Sequence, residues 1–287
     1  MQEPAATTLD TISPALRDAL DGWRLPEGEI DLSKAIDRMV RPALARGVLG
    51  SGSATAIVGG AHYHLGGRQD TDELAALAGL TAADRVVDVC CFIGGPAAHL
   101  AATLGCHVTG VDCDVRSIAA ARRIAALCGL EDRLAFDVAD AAHMPYADGQ
   151  FTVVWCQGSL NHDEAWLNEF DRVLAPGGCL ALTFAIRGPD PDDDAPRWTL
   201  DDVAARVRAM GYILCHVEDI TERDITLGWE ALGQALDEDE DEFTALLGPE
   251  WGVKARARFR REIETMRAGR WGNGRLVVVK HGEARRR

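Results

Sequence analysis

From Arg85 onward, short runs of apolar residues alternate with longer segments in which apolar positions recur every three or four residues. The first apolar run is RVVDVCC, and the helical segment PAAHLAATLG follows it. Near-continuous apolar strands joined by helices are typical of a parallel sheet covered on both faces. The pattern predicts a doubly wound α/β sheet, with a functional site at the carboxyl ends of its strands. The further predicted strands are CHVTGVDCD, LAFDVAD, FTVVWCQ, CLALTFAI and ILCHVEDI, and the further helices are SIAAARRIAALCGL, EAWLNEFDRVLAPGG and WTLDDVAARVRAMGY.

The segments on either side of this alternating core follow other patterns. Residues 9–50 predict helices interrupted by proline. SGSATAIVGGAHYHLGG, residues 51–67, is rich in glycine and small residues and predicts a loop. We expect the next helix to have Asp70 or Thr71 as its N-cap. After the sixth strand, a long stretch of mixed helix precedes the last predicted strand, RLVVVKH.

Composition narrows the class of protein. The 287 residues are 47% hydrophobic and 26% charged, values typical of a globular protein with a sizeable core. No apolar run approaches the ~20 residues that span a bilayer, and the N-terminus lacks the pattern of a secretory signal. We therefore predict a cytoplasmic protein without a membrane partner. The net charge of −15 repels phosphate backbones, so we expect no nucleic-acid partner either.

The spacing of cysteine and histidine does not predict a metal site. The eight cysteines form no CxxC pair, and several lie in apolar runs. We expect them to be reduced thiols that pack as small hydrophobic residues. His62 and His64 alternate and would face one side of a strand, but two ligands without a third do not indicate a bound metal.

VVDVCCFIGGPAAHLA, residues 86–101, predicts a strand, a tight turn and the start of a helix. Backbone amides at such a helix start can bind a phosphorylated cofactor. The loop contains no lysine and does not fit GxxxxGK[ST], which excludes a P-loop. A dinucleotide fingerprint needs GxGxxG, and only Gly94 and Gly95 are present. Alone, this loop is a weak signal.

The next two strands end in acidic residues that strengthen the signal. Asp112 follows the second strand, about two dozen residues beyond Asp88, where a carboxylate can accept both ribose hydroxyls of an adenosine. Asp140 follows the third strand and could accept from an adenine amino group, while Ala141 offers a neighbouring backbone amide. The three strand ends together predict an adenosine-containing cofactor.

Four segments in order along the chain resemble the motifs of the class I S-adenosylmethionine-dependent methyltransferases. They are VVDVCCFIGGPA, GVD, DAAHMPYADGQFTVVW and RVLAPGGCLALTF. The resemblance covers roughly residues 66–184 and recurs weakly to Lys280. It implies S-adenosyl-L-methionine as cofactor and a Rossmann-like methyltransferase fold. That fold is a mostly parallel, seven-stranded sheet whose last strand runs antiparallel near one edge.

The resemblance also implies positions for individual residues. Asp88 and the Gly94 loop would lie beneath the methionine part of the cofactor, Asp112 at the ribose and Asp140 at the adenine. HYHLGGRQDTDEL resembles the glycine-rich lead-in, in which Gly67 and Thr71 would face the amino-acid end of the cofactor. The predicted cofactor-binding residues are Gly67, Thr71, Asp88, Cys90, Gly94, Asp112, Cys113, Asp140, Ala141 and Gln157.

Two positions depart from the family's DxGxGxG loop, because Cys90 and Phe92 stand where glycine is usual. A side chain in the left-handed region costs roughly 1–2 kcal/mol. We therefore expect both residues to keep negative φ and to point away from the cofactor, which gives a modified but functional loop. Packing is the expected role of the vicinal thiols Cys90 and Cys91, and binding of a thiophilic substrate such as arsenite is the alternative.

Within the family, the sequence is most like small-molecule members of the glycine and sarcosine N-methyltransferase type. WCQGSLNH is similar to the WxQxxxxH stretch of the sarcosine type. His162 follows the fourth strand, and we predict it as a catalytic residue together with Tyr63 and His64 of the N-terminal loop. The alternative for the His162 loop is structural, with Asn161 or Asp163 capping the next helix.

These motifs divide the chain and define two functional hypotheses. Residues 1–65 form a helical N-terminal extension and lid loop, 66–186 the cofactor-binding α/β core, 187–274 a helical cover with the sixth strand and the acceptor site, and 275–287 the last strand and tail. The favoured function is methylation of a small metabolite, with nitrogen ahead of oxygen, carbon or sulfur. A non-catalytic cofactor sensor or partner subunit is the alternative, and a homodimer is possible. Four tryptophans could wall the acceptor site: Trp198, Trp229, Trp251 and Trp271.

Overall fold

A seven-stranded sheet forms the centre of the molecule. The computed structural model describes residues 32–49 and 52–282. The strand order is β3-β2-β1-β4-β5-β7-β6, in which β7 is antiparallel to both of its neighbours and the other neighbouring pairs are parallel. The predicted doubly wound, mostly parallel sheet with an antiparallel last strand is confirmed. The strands are β1 Arg85–Val89, β2 His107–Asp112, β3 Leu134–Val138, β4 Phe151–Gln157, β5 Leu174–Arg187, β6 Tyr212–Asp219 and β7 Trp271–Lys280.

Helices cover both faces of this sheet because its central strands are apolar on both sides. Val86 packs on one face with residues of α3, α4 and α5, while Val87 packs on the other face with residues of α6 and α7. The helices up to this point in the chain are α1 Leu32–Ala45, α2 Ala54–Gly59, α3 Gly67–Ala78, α4 Gly95–Leu104, α5 Val115–Cys128, α6 Glu164–Val173 and α7 Leu200–Ala209.

A third apolar cluster joins the remaining helices to the N-terminal ones. We call residues 221–267 the cover. Trp229 and Phe259 of the cover pack with Ile57 of α2, Val40 of α1 and Ile93 of the loop after β1. The cover therefore lies against the loop that the sequence assigns to cofactor binding. Its elements are α8 Thr221–Asp224, a π-helical turn Ile225–Glu230, α9 Ala231–Glu238, α10 Glu240–Leu247 and α11 Pro249–Arg267.

Three boundaries differ from the sequence prediction. The glycine-rich stretch contains helix α2, whose N-cap Ser53 accepts a hydrogen bond from the amide of Ala56. Helix α3 begins at Gly67, so Asp70 and Thr71 are buried within it rather than capping it. Strand β5 begins at Leu174, inside the segment predicted as helix. In each case, burial against a distant segment outweighs the local pattern.

A helix that crosses a bilayer must be both long and apolar. In the part of the chain that the structure describes, every helix is too short or too polar to cross a membrane.

Candidate functional site

A cavity of about 230 Å³ opens at the carboxyl ends of β1, β4 and β5. The loop after β1 forms one wall, and the segment before α3 forms another. The cover and the start of β7 close the opposite side. The side chains used below that line it are Tyr63, His64, Asp88, Cys90, Phe92, Gln157, Phe184, Asp224, Trp229, Arg258, Trp271 and Asn273.

The loop after β1 adopts the conformation that glycine favours, without glycine. Cys90 has φ +60° and Phe92 has φ +51°. The prediction that both keep negative φ is therefore wrong. The cause is the tight turn around the end of β2, where the amide of Cys91 donates to the carbonyl of Val111 at 3.0 Å and that of Phe92 donates to Asp112 Oδ2 at 3.0 Å.

Gly94 and Gly95 then bring the chain close to its neighbours as α4 begins. Gly94 has φ +78°, and a Cβ there would lie 2.7 Å from the ring of Phe136. A Cβ at Gly95 would lie 2.1 Å from the carbonyl oxygen of Ala61. These two glycines are required by packing, and they place the N-terminus of α4 beside Asp88 in the cavity wall.

Two carboxyl groups flank this loop. Asp88 is 2% exposed, and its Oδ2 has no hydrogen-bond partner among the described residues. Burial raises the pKa of Asp88 to about 8, and the nearby Asp112 adds to the shift. Asp112 accepts from the amides of Phe92 and Asp114 and keeps lone pairs for further donors. An orphaned buried acceptor and a carboxylate at a strand end fit the adenosine cofactor that the sequence predicts.

The predicted adenine-side residues lie at the same edge of the sheet but outside the cavity as the described residues form it. The Asp140 side chain is 68% exposed, and its Oδ1 accepts from the amide of Ala142 at 2.9 Å. Ala141 is buried, whereas Cys113 is exposed. Since β3 pairs with β2 up to Asp112, these residues continue the edge outward from the ribose position.

The lead-in segment is tied to β4 by a buried polar network. The hydroxyl of Thr71 lies 3.1 Å from Gln157 Oε1 and 3.2 Å from His64 Nε2. Gln157 Nε2 donates to Asp70 Oδ2 at 2.5 Å. Burial lowers the pKa of His64, and its neutral ring has Nδ1 3.0 Å from the carbonyl oxygen of Leu65. His64 lines the cavity, and its catalytic role stays a prediction.

Tyr63 lies where the lead-in contacts the loop after β1. Its hydroxyl accepts from Ser53 Oγ at 3.2 Å, and its ring centroid lies 5.3 Å from that of Phe92. Gly67 begins α3 with φ +54° and stands outside the cavity lining. Tyr63 thus lines the cavity and contacts Phe92, and its catalytic role stays a prediction.

His162 is held by backbone atoms and does not line the cavity. Its Nε2 donates to the carbonyl of Ala185 at 2.8 Å, and its Nδ1 accepts from the amide of Trp198 at 2.8 Å. The ring also stacks on Trp198, at 5.2 Å between centroids. Both ring nitrogens are therefore bonded to the backbone in this conformation, and the catalytic role of His162 stays a prediction. The predicted cap of the next helix is confirmed, since Asp163 caps α6.

Sequence reasoning missed a carboxyl group in the opposite wall. Asp224 of the cover is 4% exposed and accepts from Asn273 Nδ2 at 2.8 Å. Burial raises the pKa of Asp224 to about 7, with a further contribution from Asp70. No local signal could have singled it out, because it is one acid in a strongly acidic segment and its asparagine partner lies on β7.

The thiols near the cavity are protonated. Burial raises the pKa of Cys90 to about 12, and it raises the values of Cys91 and Cys156 as well. Since the thiolate is the metal-binding and nucleophilic form, this environment favours packing. Among the described residues, no group of three or more His, Cys, Asp or Glu side chains could hold a metal ion.

Comparison with known proteins places this site in context. Residues 86–178 match the sequence model of a family described as a methyltransferase domain. The 27-O-demethylrifamycin SV methyltransferase of Amycolatopsis mediterranei (strain S699) is 34% identical over 192 residues, which cover 66% of this chain and 67% of that protein.

Two solved structures share the fold. The [4+2]-cyclase SpnF superposes with a TM-score of 0.65 at 23% identity, covering 87% of this chain and 97% of that one. The phosphoethanolamine N-methyltransferase 2 of Haemonchus contortus, in complex with S-adenosyl-L-methionine, superposes with a TM-score of 0.73 at 18% identity, covering 90% and 61%. At these identities, the structural likeness bears on the fold alone.

Proposed function

The chain belongs to the S-adenosylmethionine-dependent methyltransferases, and from this premise we propose that its acceptor is a hydroxyl group of a small, largely neutral metabolite. The enzyme uses S-adenosyl-L-methionine and acts on small molecules. The acceptor atom is the open question. The sequence favours nitrogen by resemblance, whereas the cavity wall favours an acceptor without an anionic group, and the name of one relative supports oxygen.

The observation that carries this proposal is the character of the cavity walls. Phe184, Trp229 and Trp271 supply apolar surface on the acceptor side. Among the described lining residues, Arg258 is the one cationic side chain, and it lies 3.9 Å from Glu262. An acceptor that carries a phosphate or carboxylate would need more cations than this wall offers. A neutral hydroxyl compound does not, and the name of the rifamycin relative specifies an oxygen acceptor.

We assign the two halves of the sheet edge to the two substrates. Residues 66–186 would hold the cofactor, and residues 187–274 with the start of β7 would hold the acceptor. Within the first half, the assignment follows the strand ends. The methionine part would lie over Asp88, Cys90 and Gly94, its amino-acid end near Gly67, Thr71 and Gln157, the ribose at Asp112, and the adenine near Cys113, Asp140 and Ala141.

The ribose assignment gives the first prediction. Asp112→Ala removes a charged acceptor from two hydroxyls, which should cost roughly 1.5–3 kcal/mol, or about ten- to a hundredfold in affinity. Calorimetric titration with S-adenosylhomocysteine measures this loss. Asp132→Ala is the matched control, since Asp132 is an exposed acid that precedes β3, at the other end of that strand. Binding of the Asp112 variant within twofold of wild type would place the adenosine elsewhere.

The chemistry requires alignment and exclusion of water. S-adenosyl-L-methionine supplies an electrophilic methyl group on a sulfonium. The protein must hold the acceptor oxygen in line with that group, and aromatic rings on the acceptor side exclude water from the path. Trp229 and Trp271 are placed for this role, and Phe92 and Tyr63 close the cavity on the cofactor side.

Paired acceptors test the proposed function. Release of S-adenosylhomocysteine is measured with 27-O-demethylrifamycin SV and catechol as hydroxyl acceptors, and with phosphoethanolamine and sarcosine as amine acceptors. We expect product with a hydroxyl acceptor and none with the amines, and mass spectrometry should locate the methyl group on oxygen. Turnover of an amine alone would overturn the oxygen assignment.

A further inference from the structure

Asp224 lines the part of the cavity that lies away from the loops assigned to the cofactor. It ends the short helix α8 in the cover, and its partner Asn273 is the third residue of β7, opposite Ala185 of β5. The strand order puts β1, β2 and β3 on one side of the β1–β4 junction and β5 and β7 on the other. On the assignment of the two halves given above, a carboxyl at this position would lie beside the acceptor.

The contacts of Asp224 fix its orientation without neutralising it. Asn273 Nδ2 donates to Oδ2 at 2.8 Å, and Arg223 Nη1 lies 3.4 Å from Oδ1. Asp70 and Glu73 hold that guanidinium more closely, at 2.9 and 2.6 Å. The asparagine therefore makes the short contact, and the cation is shared.

Arg275 of β7 completes the set of charged groups that face Asp224. It contacts Asp70 at 2.6 Å, Glu73 at 3.2 Å and Glu218 at 3.4 Å. Two guanidinium groups thus serve four carboxyl groups, of which Asp224 is the one in the cavity wall. The nearest guanidinium nitrogen lies 3.4 Å from Asp224, against 2.6 Å for both Asp70 and Glu73, and this weaker compensation suits a group that must gain and lose a proton.

We propose that Asp224 accepts the proton that the acceptor hydroxyl loses, and that Asn273 positions its carboxylate. In the balanced step, the acceptor oxygen bonds to the methyl carbon, the carbon–sulfur bond breaks with its electron pair left on sulfur, and the hydroxyl proton passes to Asp224. The proposal rests on the proposed function, since it concerns the acceptor of the same reaction.

The other candidates in or near the cavity do not fit this role. His162 lies outside the cavity lining and has both ring nitrogens bonded to backbone atoms, and His64 lies beside Thr71, in the half assigned to the cofactor. Asp88 lies under the loop after β1, in the half assigned to the cofactor. Asp224 ionises near neutral pH, because burial raises its pKa to about 7, and a proton acceptor works best when its pKa is near the working pH.

The matched variants are Asp224→Asn and Glu222→Gln. Glu222 lies on the same short helix, but its side chain is 71% exposed and pairs with Arg267. With the hydroxyl acceptors above, we expect kcat of Asp224→Asn at pH 8 to fall at least about a hundredfold. The affinity for S-adenosylhomocysteine should stay within threefold of wild type, and Glu222→Gln should match wild type in both. Wild-type kcat should rise with pH through about 7, and this limb should vanish in Asp224→Asn.

Asn273→Ala tests the positioning residue. It should shift the pH limb upward, because the carboxylate loses its short hydrogen bond, while kcat at high pH falls less than in Asp224→Asn. A variant that lowers only the thermal stability and leaves the pH limb in place would give Asn273 a structural role alone.

Failure of this proposal differs from failure of the proposed function. If wild type methylates a hydroxyl acceptor and Asp224→Asn keeps its kcat and pH limb, Asp224 is not the proton acceptor. If wild type methylates amines only, the oxygen assignment fails and the same variants are compared on the amine. If no probe turns over, carbon-13 NMR of labelled aspartate in the S-adenosylhomocysteine complex decides. A signal for Asp224 that stays ionised from pH 5 to 9 overturns the proposal.

Discussion

At the scale of single residues, the site is built from carboxyl groups that the fold removes from water. Asp88 is the clearest case, because its Oδ2 is buried without a hydrogen-bond partner among the described residues. Its pKa of about 8 in the folded chain lies far above the ordinary 3.8. Between these values, the folded state binds a proton that the unfolded state has lost. The free energy of unfolding therefore decreases as pH rises from about 4 to about 8.

This sign gives a prediction for Asp88→Asn in the absence of cofactor. The amide can still accept from the backbone of Ala97, and it removes the cost of a buried charge. We expect the variant to be more stable than wild type by ~1–3 kcal/mol at pH 9 and to differ little at pH 5. Urea unfolding at both pH values measures the difference, with the exposed Asp132→Asn as control. Equal effects at the two pH values would mean that Asp88 ionises normally.

Some site residues could be predicted from the sequence and others could not, depending on whether their position follows from local spacing or from a distant partner. Asp88, Asp112 and Gly94 could be located because each follows its own strand at a fixed spacing. The hydrogen bonds of His162 could not be predicted, because its partners are backbone atoms of Ala185 and Trp198. No spacing rule describes such pairs, and the Asp224–Asn273 pair has the same character.

At the scale of elements, tertiary hydrogen bonds determine the backbone of the loop after β1, against the local preference for glycine at positive φ. Cys90 and Phe92 take the left-handed conformation because the amides that follow β1 must reach the end of β2. The strain is offset by contacts: Phe92 packs against Tyr63, and Cys90 packs against the apolar cluster of the sheet. The turn was located correctly from the sequence, but its torsion angles were not, because the steric cost of a side chain favours glycine in the left-handed region.

At the two positions with left-handed torsion angles, we expect a glycine variant to be more stable than an alanine variant, the reverse of the order in a helix. At Phe92, both substitutions remove the ring, but only glycine is free of strain at φ +51°, so Phe92→Gly should be more stable than Phe92→Ala by ~1 kcal/mol. The same order is expected at Cys90. At the exposed helical position Ala102, the order should reverse, with Ala102→Gly less stable by ~1 kcal/mol. Chemical denaturation of the five variants and wild type checks this, and a preference for alanine at position 92 would contradict the observed loop.

At the scale of the whole molecule, a buried ionic cluster joins segments that are distant in sequence. Asp70 of α3 contacts Arg223 of the cover at 2.9 Å and Arg275 of β7 at 2.6 Å, and it accepts from Gln157 of β4. The cluster fixes the lead-in, the cover and the last strand around one cavity. The mostly parallel sheet with its antiparallel last strand could be predicted from strand patterns and resemblance, but this cluster could not, since it depends on how the cover folds back.

We expect that removing one cation from this cluster lowers the stability strongly, and that removing its carboxyl partner as well restores part of the loss. Arg275→Met leaves Asp70, which is 1% exposed, with half of its cationic partners, and breaking a buried pair costs ~3–5 kcal/mol. Adding Asp70→Asn removes the uncompensated charge, so the double variant should be at least ~1 kcal/mol more stable than the sum of the single effects implies. The half-exposed pair Arg256–Asp237, at 2.7 Å, is the control, and its removal should cost no more than ~1 kcal/mol. Urea unfolding of each cycle gives the coupling energies. Similar values for the two pairs would mean that the cluster does not hold the cover to the sheet, and the cavity would then owe its shape to apolar packing of the cover alone.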